Sequence, residues 1–530
     1  MNVSSQRARE LFDRYRASQR AWRLTLAAVF ALEAIMLLRV GRHQWYFFDE
    51  WRLVVERVIP RAHGVSESFK QLFKPDGEHV IAIPLALFIA LTRLAGIDNY
   101  WPFVFANIVV RLVTMWLADD IIRRLGARRA ARLLALVSIA FFGAGFESLF
   151  GQSVIFAAFT LVFCLMAIRQ ALLPATSQWR TGVLAALYLV GAIFSSSYGF
   201  PVVVGVTIYF ILSSRRIAAA LSLTVPPIAF LVVRALAGGS YAQQQPVAFS
   251  RLNLYVDYVQ YGLARLGEGM TGIDGLGLVS YLALVALCIW FGRGRQQAWF
   301  AISMVCTVVA FYGQASLSRS VFGAEQAGAS RYVFFCGVLS FVTLAGSWGQ
   351  RRLELRAATI VALLIVVSFA NSAGRLVEGS AQFTKSMQVS KGRLSLGFVA
   401  VERGVDQLVP DPDNAPDLYL SRLQDTVHWS GSDRLIAAGE SCYEDRLDEL
   451  TAAGIEVRSL TVRDQAALVL LLNEHSLGYL ADSLSIGDLI TRAAEGDTGS
   501  LVLDQFADDY TVFLTELALP AAVPSIVRCR

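Results

Sequence analysis

Long apolar runs separated by short polar segments dominate the first three quarters of the chain. They fall at 24–40, 102–122, 133–150, 153–171, 181–196, 199–213, 217–237, 275–292, 298–312, 331–349 and 357–374, eleven in all. A helix that crosses a bilayer needs about 20 apolar residues. The pattern therefore predicts a mainly α, polytopic transmembrane bundle of about eleven spans. A twelfth run, HVIAIPLALFIALTRLAG at 79–96, decides the topology.

Lys and Arg are retained in cytoplasmic loops. The basic N-terminal tail (Arg7, Arg9, Arg14, Arg16, Arg20, Arg23) and the cluster RRLGARRAAR at 123–132 should thus share the inner side. They do so only if 79–96 does not cross, lying instead as a re-entrant or interfacial helix on the outer face. The same assumption puts Arg215-Arg216, Arg293/Arg295 and Arg351/Arg352/Arg356 inside. The loops 41–101, 239–274 and 313–330, and everything after about residue 375, then lie outside. No small-residue cleavage site follows the first apolar run, which reads as a retained span with a cytoplasmic N-terminus.

Beyond residue 375 acids, prolines and polar turns return. DLYLS (417–421), LGYLA (477–481) and YTVFLTEL (510–517) read as strands, and DRLDELTAAGIEVRSLTV (445–462) as a helix, a Gly stop and a strand. The expected organisation is a transmembrane domain over 1–375 and a small soluble α/β domain over 376–530. The latter holds Cys442 and Cys529, for which a disulfide and two free thiols are equally open.

Composition fits this division. Of the 530 residues 55% are hydrophobic and only 17% charged, where a soluble protein carries about 25% charge. The mean hydropathy is +0.50. An ordinary soluble enzyme and a disordered chain are excluded. Net charge is 47 − 42 = +5, too small and scattered for nucleic acid. Arg far outnumbers Lys (Lys70, Lys74, Lys385 and Lys391 only), which with the abundant Ala suggests a high-GC bacterial genome. No Cys pair has zinc spacing, and no internal repeat is evident.

Candidate chemistry gathers at the outer loop mouths. Asp49 and Glu50 lie in WYFFDEWRLVVERV (45–58), framed by Trp45, Tyr46, Phe47, Phe48 and Trp51. Those rings read either as an interfacial belt or as a stacking surface for a sugar. Glu78 and His79 follow in KPDGEHVIAIP (74–84), where charges at the mouth of an embedded segment call for a cavity or a partner. Arg331 heads GASRYVFF (328–335) beside Tyr332. It reads as a phosphate ligand or as a snorkelling helix end, and Arg319, Arg234 and His79 are weaker phosphate candidates. FESLFGQ (146–152) puts Glu147 and Gln152 at an outer turn, as sugar or acceptor ligands or as solvated turn residues. SSSYG (195–199) is another outer turn, with Tyr198. A divalent cation could sit among Asp49, Glu50, Glu78 and His79 through oxygen ligands, although no cofactor is required. Asp119-Asp120 should pair with Arg123 and Arg124 one turn on, which makes the pair structural.

FFDEW after the first span, GEH-x4-P, and an amphipathic segment ending in Leu-Ala-Gly-Ile-Asp (94–98) resemble the GT-C glycosyltransferases. That superfamily includes protein mannosyltransferases, aminoarabinose transferases and mycobacterial arabinofuranosyltransferases. The resemblance covers roughly residues 20–375. It implies juxtamembrane helices in the first outer loop, a polyprenyl-phosphate sugar donor, and an envelope glycan or glycolipid acceptor. It also implies transfer on the outer face of the cytoplasmic membrane with inversion, and places Asp49 as the general base. Glu50, Glu78, His79, Glu147, Gln152, Arg331 and Tyr332 would then line the substrates. Two further readings stay open: a transporter or flippase of a lipid-linked glycan, for which Pro226-Pro227 is the main mid-span break, and a glycan polymerase or ligase.

Overall fold

The computed structural model describes residues 19–46, 49–59, 64–76, 79–150, 155–174, 177–238, 249–292, 294–348, 355–405, 410, 418, 420–452 and 461–471. These residues are helical almost throughout, and no strand forms among them. The chain divides into two compact units, each discontinuous in sequence. The first comprises 1–41, 64–86 and 104–383, and the second 42–63, 87–103 and 384–530.

The apolar runs fall on helices, with the run 133–150 broken between two of them. The helices are α1 (Gln19–Gly41), α2 (Asp49–Leu53), α3 (Val65–Phe73), α4 (Ala82–Ala95), α5 (Trp101–Arg124), α6 (Arg129–Ala140) and α7 (Phe146–Phe150). Then follow α8 (Ile155–Leu172), α9 (Gln178–Ile193), α10 (Gly199–Leu212), α11 (Arg216–Ala237), α12 (Leu252–Thr271), α13 (Gly277–Phe291), α14 (Arg295–Arg319) and α15 (Ser330–Trp348). The chain continues through α16 (Leu355–Glu402), α17 (Leu420–Leu423), α18 (Ser432–Ala452) and α19 (Val462–Leu471). Among the described residues five helical stretches are long and apolar enough to cross a membrane. These are Arg20–Gly41, Trp101–Arg124, Arg216–Ala237, Arg295–Phe322 and Ser330–Trp348; α6 with the segment Gly143–Leu149, bent by 41°, makes a sixth. The chain is a helical membrane protein at this level. α4 has 14 residues, about 21 Å at 1.5 Å each, against a hydrocarbon core of about 30 Å.

The first unit turns apolar side chains outward. Leu223, Ile228, Leu231, Val232 and Leu236 on α11 are all exposed, as are Leu24, Leu32 and Ile35 on α1. Lipid, being as apolar as these side chains, leaves close packing to hold the helices together, and small residues allow it. A Cβ on Gly267 would meet the Gly277 carbonyl at 1.9 Å, and one on Gly262 the Tyr312 ring at 2.3 Å, so α12 approaches α13 and α14 through glycines. Several charged groups inside form ion pairs. Arg111 of α5 donates to Glu33 of α1, and Asp119 accepts from Arg132 Nε at 2.8 Å. Asp120 accepts from Arg124 Nε and Arg169 Nε, each at 2.7 Å, and from Arg123. The expected contacts to Arg123 and Arg124 thus form at Asp120, while Asp119 turns to the next helix.

In the second unit the reading of 417–421 as a strand needs correction. Leu420–Leu423 is a helical turn with Leu420 and Leu423 buried three residues apart, a spacing that fits one helix face better than alternation. Helix α18 covers the expected helix of 445–462. The strands read at 477–481 and 510–517 lie outside the described residues. α16 is one continuous helix through residue 375, where a domain boundary was expected, and the units divide between 383 and 384. Gly439 of α18 packs on α16: a Cβ there would meet the Ser395 carbonyl at 2.2 Å. Cys442 is disulfide-bonded.

Candidate functional site

The second unit contains the acidic pair. Asp49 opens α2, with its side chain outside the description. Glu50 is 1% exposed, and the Tyr100 hydroxyl donates to both its oxygens, at 2.9 and 3.0 Å. Burial first, then the Glu50 charge, pushes the Tyr100 pKa well up, so the hydroxyl stays a donor. The described rings of the aromatic frame form a packed core rather than a belt or an open stacking surface. Trp45, Tyr46 and Trp51 are buried and pack on one another with centroids 5.1–6.0 Å apart. Trp45 Nε1 donates to the Ile97 carbonyl at 3.2 Å, which ties this segment to the turn after α4. Phe47 and Phe48 are outside the description.

The first unit gathers four of the expected site residues. A backbone pairing between Asp76 and His79 sets the turn before α4, and Ile83 N–H donates to the Phe194 carbonyl at 3.2 Å. With Val80 and Ala82 buried against Phe194, His79 is carried to the turn between α9 and α10. There its Nδ1 shares a hydrogen bond of 2.6 Å with Ser197 Oγ, and its ring meets Tyr198 edge-on at 5.4 Å. Tyr198 contacts Tyr332 at 5.7 Å, and the Arg331 guanidinium lies 5.2 Å from the Tyr332 ring centroid. Arg331 Nη1 is 3.6 Å from Glu147 Oε2, too long for a hydrogen bond but within ion-pair range. Glu147 is set by its own backbone N–H, which donates to Ser330 Oγ at 3.1 Å.

The electrostatics follow from burial. His79 is pushed down to about 4, by burial first and then by Arg319 and Arg331, so it is neutral at ordinary pH. The Tyr198 pKa is raised well above its usual value, by burial first and then by Tyr332, against the pull of Arg331 and Arg319. The group thus presents neutral hydrogen-bonding side chains beside cationic guanidinium groups. Such an arrangement can hold a phosphate by charge and orient it through hydroxyls.

Arg331 and Glu147 open into a cavity of about 640 Å³, within the usual size range for small-molecule sites. The loop 143–147, the segment 322–331, Arg265 of α12 and one face of α16 (Arg375, Glu378, Gly379, Gln382) enclose it. That face follows the i, i+3, i+4, i+7 spacing of a helix. Sequence reasoning passed over Arg265, Arg375, Glu378 and Phe322. The helical spacing of Arg375, Glu378 and Gln382 just past the last apolar run was the available signal. Among the described residues no group of three or more His, Cys, Asp or Glu is placed to hold a metal ion. Of the four residues expected to share a cation, Glu78 and the Asp49 side chain lie outside the description, as does Gln152 among the expected substrate ligands. Arg234 lies in the last turn of α11, apart from the cavity lining.

No family model matches the chain, and no curated protein matches it.

Proposed function

We propose that the chain is a bacterial cytoplasmic-membrane glycosyltransferase of the GT-C type. It moves a sugar from a polyprenyl-phosphate donor to an envelope glycan or glycolipid on the outer face. The observation that carries this reading is the cavity holding Arg331 and Glu147. Arg265, the residues between Phe322 and Ser330, the α16 face from Arg375 and the turn residue Glu147 fall in outer loops or turns of the topology argued from the basic residues, and the His79–Ser197 contact joins two further outer segments. At the opposite helix ends Asp119 and Asp120 sit among Arg124, Arg132 and Arg169, consistent with a cytoplasmic face. The bonded Cys442 supports an oxidising, extracytoplasmic side for the second unit.

In the proposed reaction Asp49 takes the proton of an acceptor hydroxyl as its oxygen attacks the anomeric carbon. The bond from that carbon to the phosphate oxygen breaks, its electron pair leaves with the polyprenyl phosphate, and the configuration inverts. Within the first unit, Arg331 is the candidate ligand for the donor's phosphate, with His79, Tyr198 and Tyr332 as uncharged neighbours and Glu147 as a candidate ligand for sugar hydroxyls. No nucleotide is consumed. A placed base contributes about 10²–10⁴-fold, so Asp49→Asn should lower transfer from radiolabelled polyprenyl-phosphate sugars by at least about 10²-fold. Unchanged transfer would remove Asp49 from this role.

A second reading, a flippase for lipid-linked glycans, draws on one observation. Arg111 and Glu33 are a buried ionisable pair well inside their helices, as transport pathways use. Counterflow of lipid-linked glycan across vesicles, with no transfer chemistry, would select it.

A further inference from the structure

Beyond Arg331 and Glu147, the cavity is chemically different from a phosphate site. Its other charged walls are Arg265, Arg375, Glu325 and Glu378. Both guanidinium groups are already engaged: Arg265 Nη1 donates to Glu268 Oε2 at 2.7 Å, and Arg375 pairs with Asp274. The charges that line this part balance, 2 − 2 = 0, and Glu268 and Asp274 draw off the two positive ones from behind the wall. An anion finds no net positive charge there. Gln326 and Gln382 add amides that both donate and accept. Phe322 also lines the wall with 64% of its surface exposed. That leaves an aromatic face open, on which the C–H side of a sugar ring can stack. Room is made where glycines replace side chains. Gly379 stands against the Phe146 ring, and Gly328 against Arg265 and Tyr261.

We propose that this part of the cavity binds a neutral oligosaccharide, the acceptor glycan, and leaves the phosphate of the donor to Arg331. Carboxylates, amides and one aromatic face around a polar cavity suit a polyol, whose every hydroxyl both donates and accepts. The word acceptor rests on the glycosyltransferase reading; saccharide binding itself does not.

The test uses the full chain in lipid nanodiscs and saturation-transfer NMR with maltotriose, mannotriose, xylotriose and an arabinofuranose trisaccharide. Inorganic phosphate and pyrophosphate serve as competitors. Saturable binding of at least one neutral trisaccharide is expected, weakened at least tenfold by Phe322→Ala and by Gln382→Ala, and not displaced by either anion. Phe322 is exposed, so its removal leaves folding intact, which circular dichroism of the variant checks. Absence of saturable binding across the panel, binding indifferent to Phe322→Ala, or displacement by phosphate would each overturn the proposal. Transfer measured on the same preparation separates the two readings. Saccharide binding without transfer defeats the glycosyltransferase alone, and transfer without saccharide binding defeats this assignment alone.

Discussion

Arg111 donates through Nε and Nη2 to the same oxygen of Glu33, at 3.1 and 3.0 Å, and both side chains are sealed from solvent at 1% and 0% exposure. The pair joins α1 to α5, and the Arg111 guanidinium also lies 4.4 Å from the Phe334 ring centroid of α15. A buried ion pair contributes little over an apolar pair of like shape, yet removing one partner leaves an uncompensated charge at about 3–5 kcal/mol. Arg111→Met alone should therefore markedly lower the melting temperature of the purified protein. Arg111→Met with Glu33→Leu should recover most of that loss. A single variant as stable as the parent would show that water or lipid headgroups reach Glu33.

The topology makes a sharper prediction. Ala324 lies in the short segment before α15, and Ala127 between α5 and α6. A membrane-impermeant maleimide should label Ala324→Cys in intact cells and Ala127→Cys only after permeabilisation. Among the described residues the free cysteines Cys164, Cys288, Cys306 and Cys336 lie within helices, and three of them are buried, so their background labelling is low. Reversed labelling would turn the whole chain over and place the cavity on the cytoplasmic side, where a polyprenyl-phosphate donor used outside could not reach it.

The His79 environment gives a pH dependence whose sign can be worked out. Its folded pKa of about 4 lies below the free value of about 6.5. As pH falls through 6.5 the unfolded chain takes a proton that the folded chain refuses. Stability is then lost progressively down to about pH 4 and levels off below. Denaturant unfolding of the parent against His79→Gln should show the parent falling relative to the variant over that window. An NMR midpoint for His79 near 6.5 would instead place the ring in water, away from Ser197.

How far the site was legible follows from where its residues lie. Glu147, His79 and Arg331 stand out in sequence because each is an ionisable residue at the mouth of an apolar run, and the structure brings these three to one place. Arg265, Arg375 and Phe322 were invisible because their role arises only when four segments, distant in sequence, close around one space. The aromatics Trp45, Tyr46 and Trp51 show the opposite failure. Their composition fits a membrane belt, a sugar platform and a protein core equally well, and only packing decides for the core. At 417–421 the apolar spacing of a five-residue segment fits a strand or a helical turn, and the burial of Leu420 and Leu423, three residues apart, goes with the turn. Asp119 looked like a partner for Arg123 or Arg124 because local spacing cannot see Arg132 across a helix hairpin.

The Tyr100–Glu50 contact separates a structural from a substrate-binding role for Glu50. One hydroxyl serves both carboxylate oxygens, and a hydrogen bond to a charged group contributes about 1.5–3 kcal/mol. Tyr100→Phe should thus cost about 2 kcal/mol in unfolding free energy. Glu50→Gln keeps the shape but weakens the acceptor, and should cost somewhat less. Because the two residues act on one contact, the double variant should lose less than the sum of the singles. Kinetics on the same proteins complete the argument. If Glu50 holds the core of the second unit, Glu50→Gln and Tyr100→Phe lower stability together while the KM for donor and acceptor stays within about twofold of the parent, well under the tenfold that about 1.4 kcal/mol of lost binding gives. A KM raised tenfold or more by Glu50→Gln, with unfolding unchanged, would return Glu50 to the substrate site.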